Sequence, residues 1–116
     1  MLNIERQDKK IETRVAEIQK DWRVWARENG YAYTDSVFVE QEPMQVRLEV
    51  WTHPTMQEDT YLLYLPSIPH TTGGETLYII NDHERLTFML DGVKKMVKAA
   101  LIMVQFRLRT QNYTLN

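Results

Sequence analysis

The sequence predicts an α+β fold: an N-terminal helix, a four-stranded antiparallel β-meander and a long C-terminal helix packed on the sheet. Three observations lead there. Apolar residues recur at helical spacing from His83 to Arg109, a stretch that would span roughly 40 Å at 1.5 Å per residue. Between residues 31 and 80 the pattern changes to two-residue alternation broken by Pro and Gly, as short strands require. At the N-terminus, apolar positions three and four apart are set among charges.

The first helix is predicted over Leu2 to Glu28. Ile4, Ile11, Val15, Ile18, Trp22 and Trp25 form its seam, interrupted at Asp8, and Asn29 with Gly30 supply a C-terminal stop. Strands are expected over 31–40, 44–52, 60–65 and 76–80. The first is marked by a possible break near Asp35 and Ser36. The second has the cleanest alternation, with Met44, Val46, Leu48 and Val50 on one face and Gln45, Arg47, Glu49 and Trp51 on the other. Short links favour consecutive antiparallel neighbours. The face bearing Val46, Leu48 and Val50 is expected to take the C-terminal helix. On the other face, Phe38, Trp51, Leu62, Tyr64, Tyr78 and Ile80 are expected, and Trp22 and Trp25 of the first helix need an apolar surface of that kind to lie on.

The last helix is predicted over 82–109, with Asn81 and Asp82 as N-cap candidates and Glu84 in its first turn. Its wheel has a broad arc of Leu86, Met89, Leu90, Val93, Met96, Val97, Ala100, Leu101, Met103, Val104 and Leu108. A second group, Phe88, Ala99, Ile102 and Phe106, falls on the opposite side. A helix apolar on two sides must be buried on two sides. Phe88, Met96, Ala99, Ile102, Met103 and Phe106 are therefore the expected surface for self-association, with core packing as the plainer role of the methionines.

Composition bounds the chemistry. A chain of 116 residues forms one domain. Having no cysteine, it has no disulfide, thiolate nucleophile or cysteine-based zinc site. No apolar run approaches the ~20 residues that cross a bilayer, and the N-terminus lacks the apolar core of a secretory signal, so a soluble, cytoplasmic protein is expected. The net charge of -2 conceals a pattern: residues 28–91 carry eleven acidic and two basic side chains, and residues 92–116 carry five basic and none acidic.

Glu40, Glu42, Glu49, Glu58 and Asp59 together with Trp51 and Tyr64 make a candidate patch for a partner with a basic surface, because acids orient and aromatics anchor. Such a patch would also imitate nucleic acid, as an inhibitor encoded by a phage or mobile element does. The loop His70, Thr71, Thr72, Gly73, Gly74 is the candidate ligand loop, with amides, hydroxyls and an imidazole to offer. It lacks the P-loop pattern, and paired glycines more often serve a turn. His53, His70 and His83 are isolated, so neither a metal nor a cofactor is expected. No nucleophile elbow accompanies Ser67 and His70, which disfavours an enzyme.

The leading expectation is a non-catalytic protein-binding or structural subunit acting as a homo-oligomer. One alternative is single-stranded nucleic-acid binding, using Phe38, Trp51, Tyr64 and Tyr78 for stacking and the basic last helix for phosphates, against which the acidic sheet stands. Another is a small enzyme or ligand-binding domain at the His70 loop.

Overall fold

The computed structural model describes residues 2–6, 21–54, 60–71 and 73–114, the last four of them by backbone. It is an α+β arrangement with a five-stranded mixed sheet between a short helix and a long one. The strands are β1 (Asn3–Arg6), β2 (Ala32–Gln41), β3 (Met44–Thr52), β4 (Tyr61–Leu65) and β5 (Thr76–Ile80), and the helices are α1 (Trp22–Glu28) and α2 (His83–Thr114). The strand order is β1-β5-β4-β3-β2.

Four strands form the expected antiparallel meander, and the fifth corrects the expectation for the N-terminus. Asn3–Arg6 is extended and pairs parallel to β5, from Asn3 opposite Thr76 to Arg6 opposite Ile79. Over four residues, periods of 2 and 3.5 cannot be told apart. Leu2 and Ile4 sit on one side of a strand as readily as on a helical seam, and here both join the core. The helix predicted over Leu2 to Glu28 is thus, where described, only Trp22–Glu28; Ile11, Val15 and Ile18 of its seam lie outside the described residues. Asp21 caps it, accepting from the Arg23 N–H at 3.2 Å. It ends at Asn29 and at Gly30, whose φ of 88° is natural only for glycine.

β2 and β3 form the longest pairing, joined by a two-residue turn at Glu42 and Pro43, whose peptide bond is cis. The irregularity anticipated near Asp35 is a register shift between Tyr33 and Asp35. Side chains alternate across the sheet and divide the core into two layers. On one side Val39, Val46, Leu48, Val50, Leu63, Leu65 and Ile80 meet Leu86, Val93, Val97 and Leu101 of α2. On the other, Trp51, Leu62, Tyr64, Leu77 and Ile79 meet Trp22, Trp25 and Ala26 of α1 together with Leu2. Tyr78 and Ile80 belong to the α2 layer rather than the α1 layer expected for them, because β5 places Leu77 and Ile79 beneath α1 instead.

α2 starts where Asp82 caps it, its carboxylate accepting from the Arg85 N–H at 2.7 Å. It runs to Thr114, five residues past the predicted end. At 1.5 Å per residue its 32 residues reach about 48 Å. Among the side chains described, the last one buried against the sheet is Val104, and residues 105–110 are half-buried or exposed. Gln105 follows it, its side-chain amide donating to the Gln41 carbonyl at 2.9 Å and also to that of Glu42.

Candidate functional site

The feature with most to offer a partner is the outward side of α2. Leu86, Val93, Val97, Leu101 and Val104 face the sheet and are buried, so positions half a turn away must face solvent. Apart from Gly92 and Lys95, those positions are apolar. Phe88 is 78% exposed, Ile102 47% and Phe106 67%, with Ala99 exposed between them. Met96 and Met103 flank this stripe and are exposed as well, and Met89 is half-buried on the same flank. The structure therefore gathers all six residues singled out for self-association onto one uncovered strip. Singly exposed apolar residues are ordinary, but four on one helix face, interrupted by Gly92 and Lys95 and flanked by exposed methionines, are not.

The acidic and aromatic patch has a different fate. Glu49, Trp51 and Tyr64 share one face of the sheet, but α1 lies over them and they are buried. Glu49 is 8% exposed and pairs with Arg23 of α1 at 2.5 Å, and Trp51 donates its indole N–H to the same carboxylate at 3.1 Å. The Arg23 guanidinium also sits over the rings of Trp22 and Tyr64, 4.5 and 4.9 Å from their centres. Trp22 stacks on Tyr64 with ring centres 4.7 Å apart, and the Tyr64 hydroxyl donates to Glu75. Burial by itself would raise the Glu49 pKa; the Arg23 and Trp51 hydrogen bonds and the Arg23 charge outweigh it and hold the carboxyl below its usual range. Burial, reinforced by Glu75, pushes the Tyr64 phenol up to about 12. These three residues lie between α1 and the sheet rather than on its open surface. Glu40 and Glu42 remain exposed at the β2–β3 turn, and Glu58 and Asp59 lie outside the described residues.

The base-stacking set is likewise divided. Trp51 and Tyr64 lie under α1, Tyr78 is on the α2 side, and Phe38 stands exposed near the outer edge of the sheet.

Among the described residues of the candidate ligand loop, the one with left-handed backbone is His70, at φ 63°, where a turn served by glycine was expected. Thr71 closes that turn, its hydroxyl donating to the Ile68 carbonyl at 2.8 Å. Thr72 lies outside the described residues, and Gly73 and Gly74 are exposed. His70 also lines a cavity of about 270 Å³ with Val104, Arg107 and Leu108 of α2. The loop thus approaches the last buried turn of that helix.

Among the described residues, no three His, Asp or Glu side chains gather to hold a metal. None of their helices is long and apolar enough to cross a membrane. No protein-family model matches the chain, and no curated protein or solved structure does either.

Proposed function

We propose that the chain is a non-catalytic structural subunit that assembles with a second copy of itself through the outward stripe of α2. The observation that carries this reading is the exposed row Phe88, Ala99, Ile102 and Phe106 on a helix already buried on its opposite side.

The stripe also fits its own reverse. Its positions are Phe88, Gly92, Lys95, Ala99, Ile102 and Phe106, spaced four, three, four, three and four residues apart. That series reads the same in both directions. Two antiparallel copies set Phe88 against Phe106, Gly92 against Ile102 and Lys95 against Ala99, with a large side chain facing a small one in the last two pairs. The flanking methionines Met89, Met96 and Met103 are symmetric about almost the same point. Charge favours the same orientation. Residues 82–91 hold Asp82, Glu84 and Asp91 against a single Arg85, and the rest of α2 holds Lys94, Lys95, Lys98, Arg107 and Arg109. Antiparallel copies bring the acidic end to the basic one, and parallel copies set five cations against the same five.

From Phe88 to Phe106 the seam is about 27 Å long. With its methionine flank it offers roughly 1,000 Å² of total buried surface, at the lower end for specific association. Light scattering after size exclusion should give twice the 13.9 kDa chain mass at high micromolar concentration, and the I102E/F106E double variant should give the single mass with its fold intact. A single mass for the unaltered chain at every concentration would defeat the proposal.

A further inference from the structure

We propose that the outer edge of β2 docks an acidic, extended peptide segment of another protein, which adds to the sheet as a further strand. This surface adjoins the α2 stripe, sharing Lys95 with it, and is centred instead on the strand edge.

β2 stands at one end of the strand order and, among the described residues, pairs with β3 alone. A terminal strand keeps a row of N–H and C=O groups on its outer side, ready for another chain. The register shift between Tyr33 and Asp35 interrupts the first part of the strand. From Ser36 opposite Glu49 to Gln41 opposite Met44 the pairing runs unbroken, so this half presents a regular edge, and it contains no proline.

Beside the regular half lies a cleft of about 290 Å³ between the strand and α2. It is lined by Phe38, Val39 and Glu40 from β2 and by Asp91, Lys94, Lys95 and Lys98 from α2. Three of its charges are engaged: Lys95 pairs with Asp91 at 3.1 Å, and Glu40 accepts from the Gln45 side chain at 2.8 Å. Lys94 and Lys98 are exposed and have no carboxylate partner among the described residues. They stand one helical turn apart, about 6 Å along the axis, close to the ~6.8 Å between alternate residues of a strand. A strand laid on β2 with acidic side chains at alternate positions on the α2 side can therefore meet both ammonium groups. Phe38, 51% exposed, alternates to the other face of β2 from Val37 and Val39, where it supplies apolar contact to the intervening positions of the added strand. Main-chain bonds supply the docking and the two lysines select for acidic sequence.

The test uses the full chain labelled with ¹⁵N and a synthetic octapeptide alternating valine and glutamate. Titration should move the amide signals of residues 36–41 and of Lys94 and Lys98, slow hydrogen exchange in 36–41, and weaken as salt is raised. The K94E/K98E double variant, altered only at exposed positions, should bind at least tenfold more weakly, and the I102E/F106E variant should bind as the unaltered chain does. The same octapeptide N-methylated at alternate amides, which cannot add as a strand, should not bind. Equal binding of the N-methylated peptide or of inorganic polyphosphate, with no protection of 36–41, would reduce the site to an anion patch and overturn the proposal. So would no response at millimolar peptide. Concentration-dependent protection of 36–41 without any peptide would also overturn it, by giving the edge to a second copy.

Discussion

Replacing Arg23 by alanine removes the cation that lets a buried carboxylate lie beneath α1. Among the described residues Glu49 would keep the Trp51 indole bond, at 3.1 Å, and would lose both contacts from the guanidinium, at 2.5 and 3.4 Å. Breaking a fully buried ion pair by deleting one partner costs about 3–5 kcal/mol. The Arg23 side chain is 39% exposed, so water screens part of that and can reach the orphaned carboxylate. The stacking of the guanidinium over Trp22 and Tyr64 adds back about 0.5–1 kcal/mol. The expected net loss is about 2–3 kcal/mol, or a fall in Tm on the order of 10 °C for a domain of this size. Urea unfolding followed by tryptophan fluorescence is a direct assay, because Trp22, Trp25 and Trp51 all lie in the affected layer. The effect carries a pH signature. Glu49 has a folded pKa below its unfolded value, so its contribution is present above the ordinary carboxylate range and is lost as pH falls through the folded value. The gap between the unaltered chain and R23A should therefore narrow on acidification to pH 3. A loss under about 0.5 kcal/mol at pH 7, or a gap constant with pH, would refute the assignment of this pair as the clamp on α1.

Two neighbours on α2 should behave oppositely: Leu101→Ala, at a fully buried position, should cost about 2–4 kcal/mol in urea melts, and Ile102→Ala within about 0.5 kcal/mol at concentrations where the chain is monomeric. Gly30→Ala should lower Tm by several degrees, since the added methyl would sit 2.4 Å from His53 Nε2 on a backbone with φ of 88°. On the alkaline side, Tyr64 has a folded pKa raised to about 12. Its contribution is intact below about pH 10 and is lost as pH rises toward 12, and the Tyr64→Phe variant should show a shallower alkaline decline in stability.

The parts of the fold that were legible in the sequence are those with long, unambiguous periods. β3 and α2 sort their side chains over enough residues for the two faces to be read directly, and the pairing of Val46, Leu48 and Val50 with α2 follows from that. β1 was illegible because Asn3–Arg6 is too short for a period, and its pairing with β5 is a contact between distant parts of the chain that no local pattern encodes. The assignment of Tyr78 and Ile80 failed for a related reason. In a short strand rich in apolar residues on both faces, a one-residue choice of phase exchanges every side chain between layers. The same limit governs the candidate surfaces. The α2 stripe could be read from spacing alone, whereas Glu49 looked like a surface acid because nothing local announces that Arg23, twenty-six residues earlier, will close over it. The β2 edge was equally hidden, since which strand is terminal depends on the whole sheet order.

The most direct test of self-assembly through α2 is a distance between identical positions in two copies. The chain has no cysteine, so Thr87→Cys, at an exposed position beside the stripe, gives one site for a spin label. Antiparallel pairing centred near residue 97 sets position 87 opposite 107 of the other copy, and pulsed electron paramagnetic resonance should then find the labels separated by about 30 Å along the helices. Distances under about 20 Å would indicate parallel pairing and contradict the orientation, and the absence of any dipolar coupling at high micromolar protein would contradict assembly through α2 altogether.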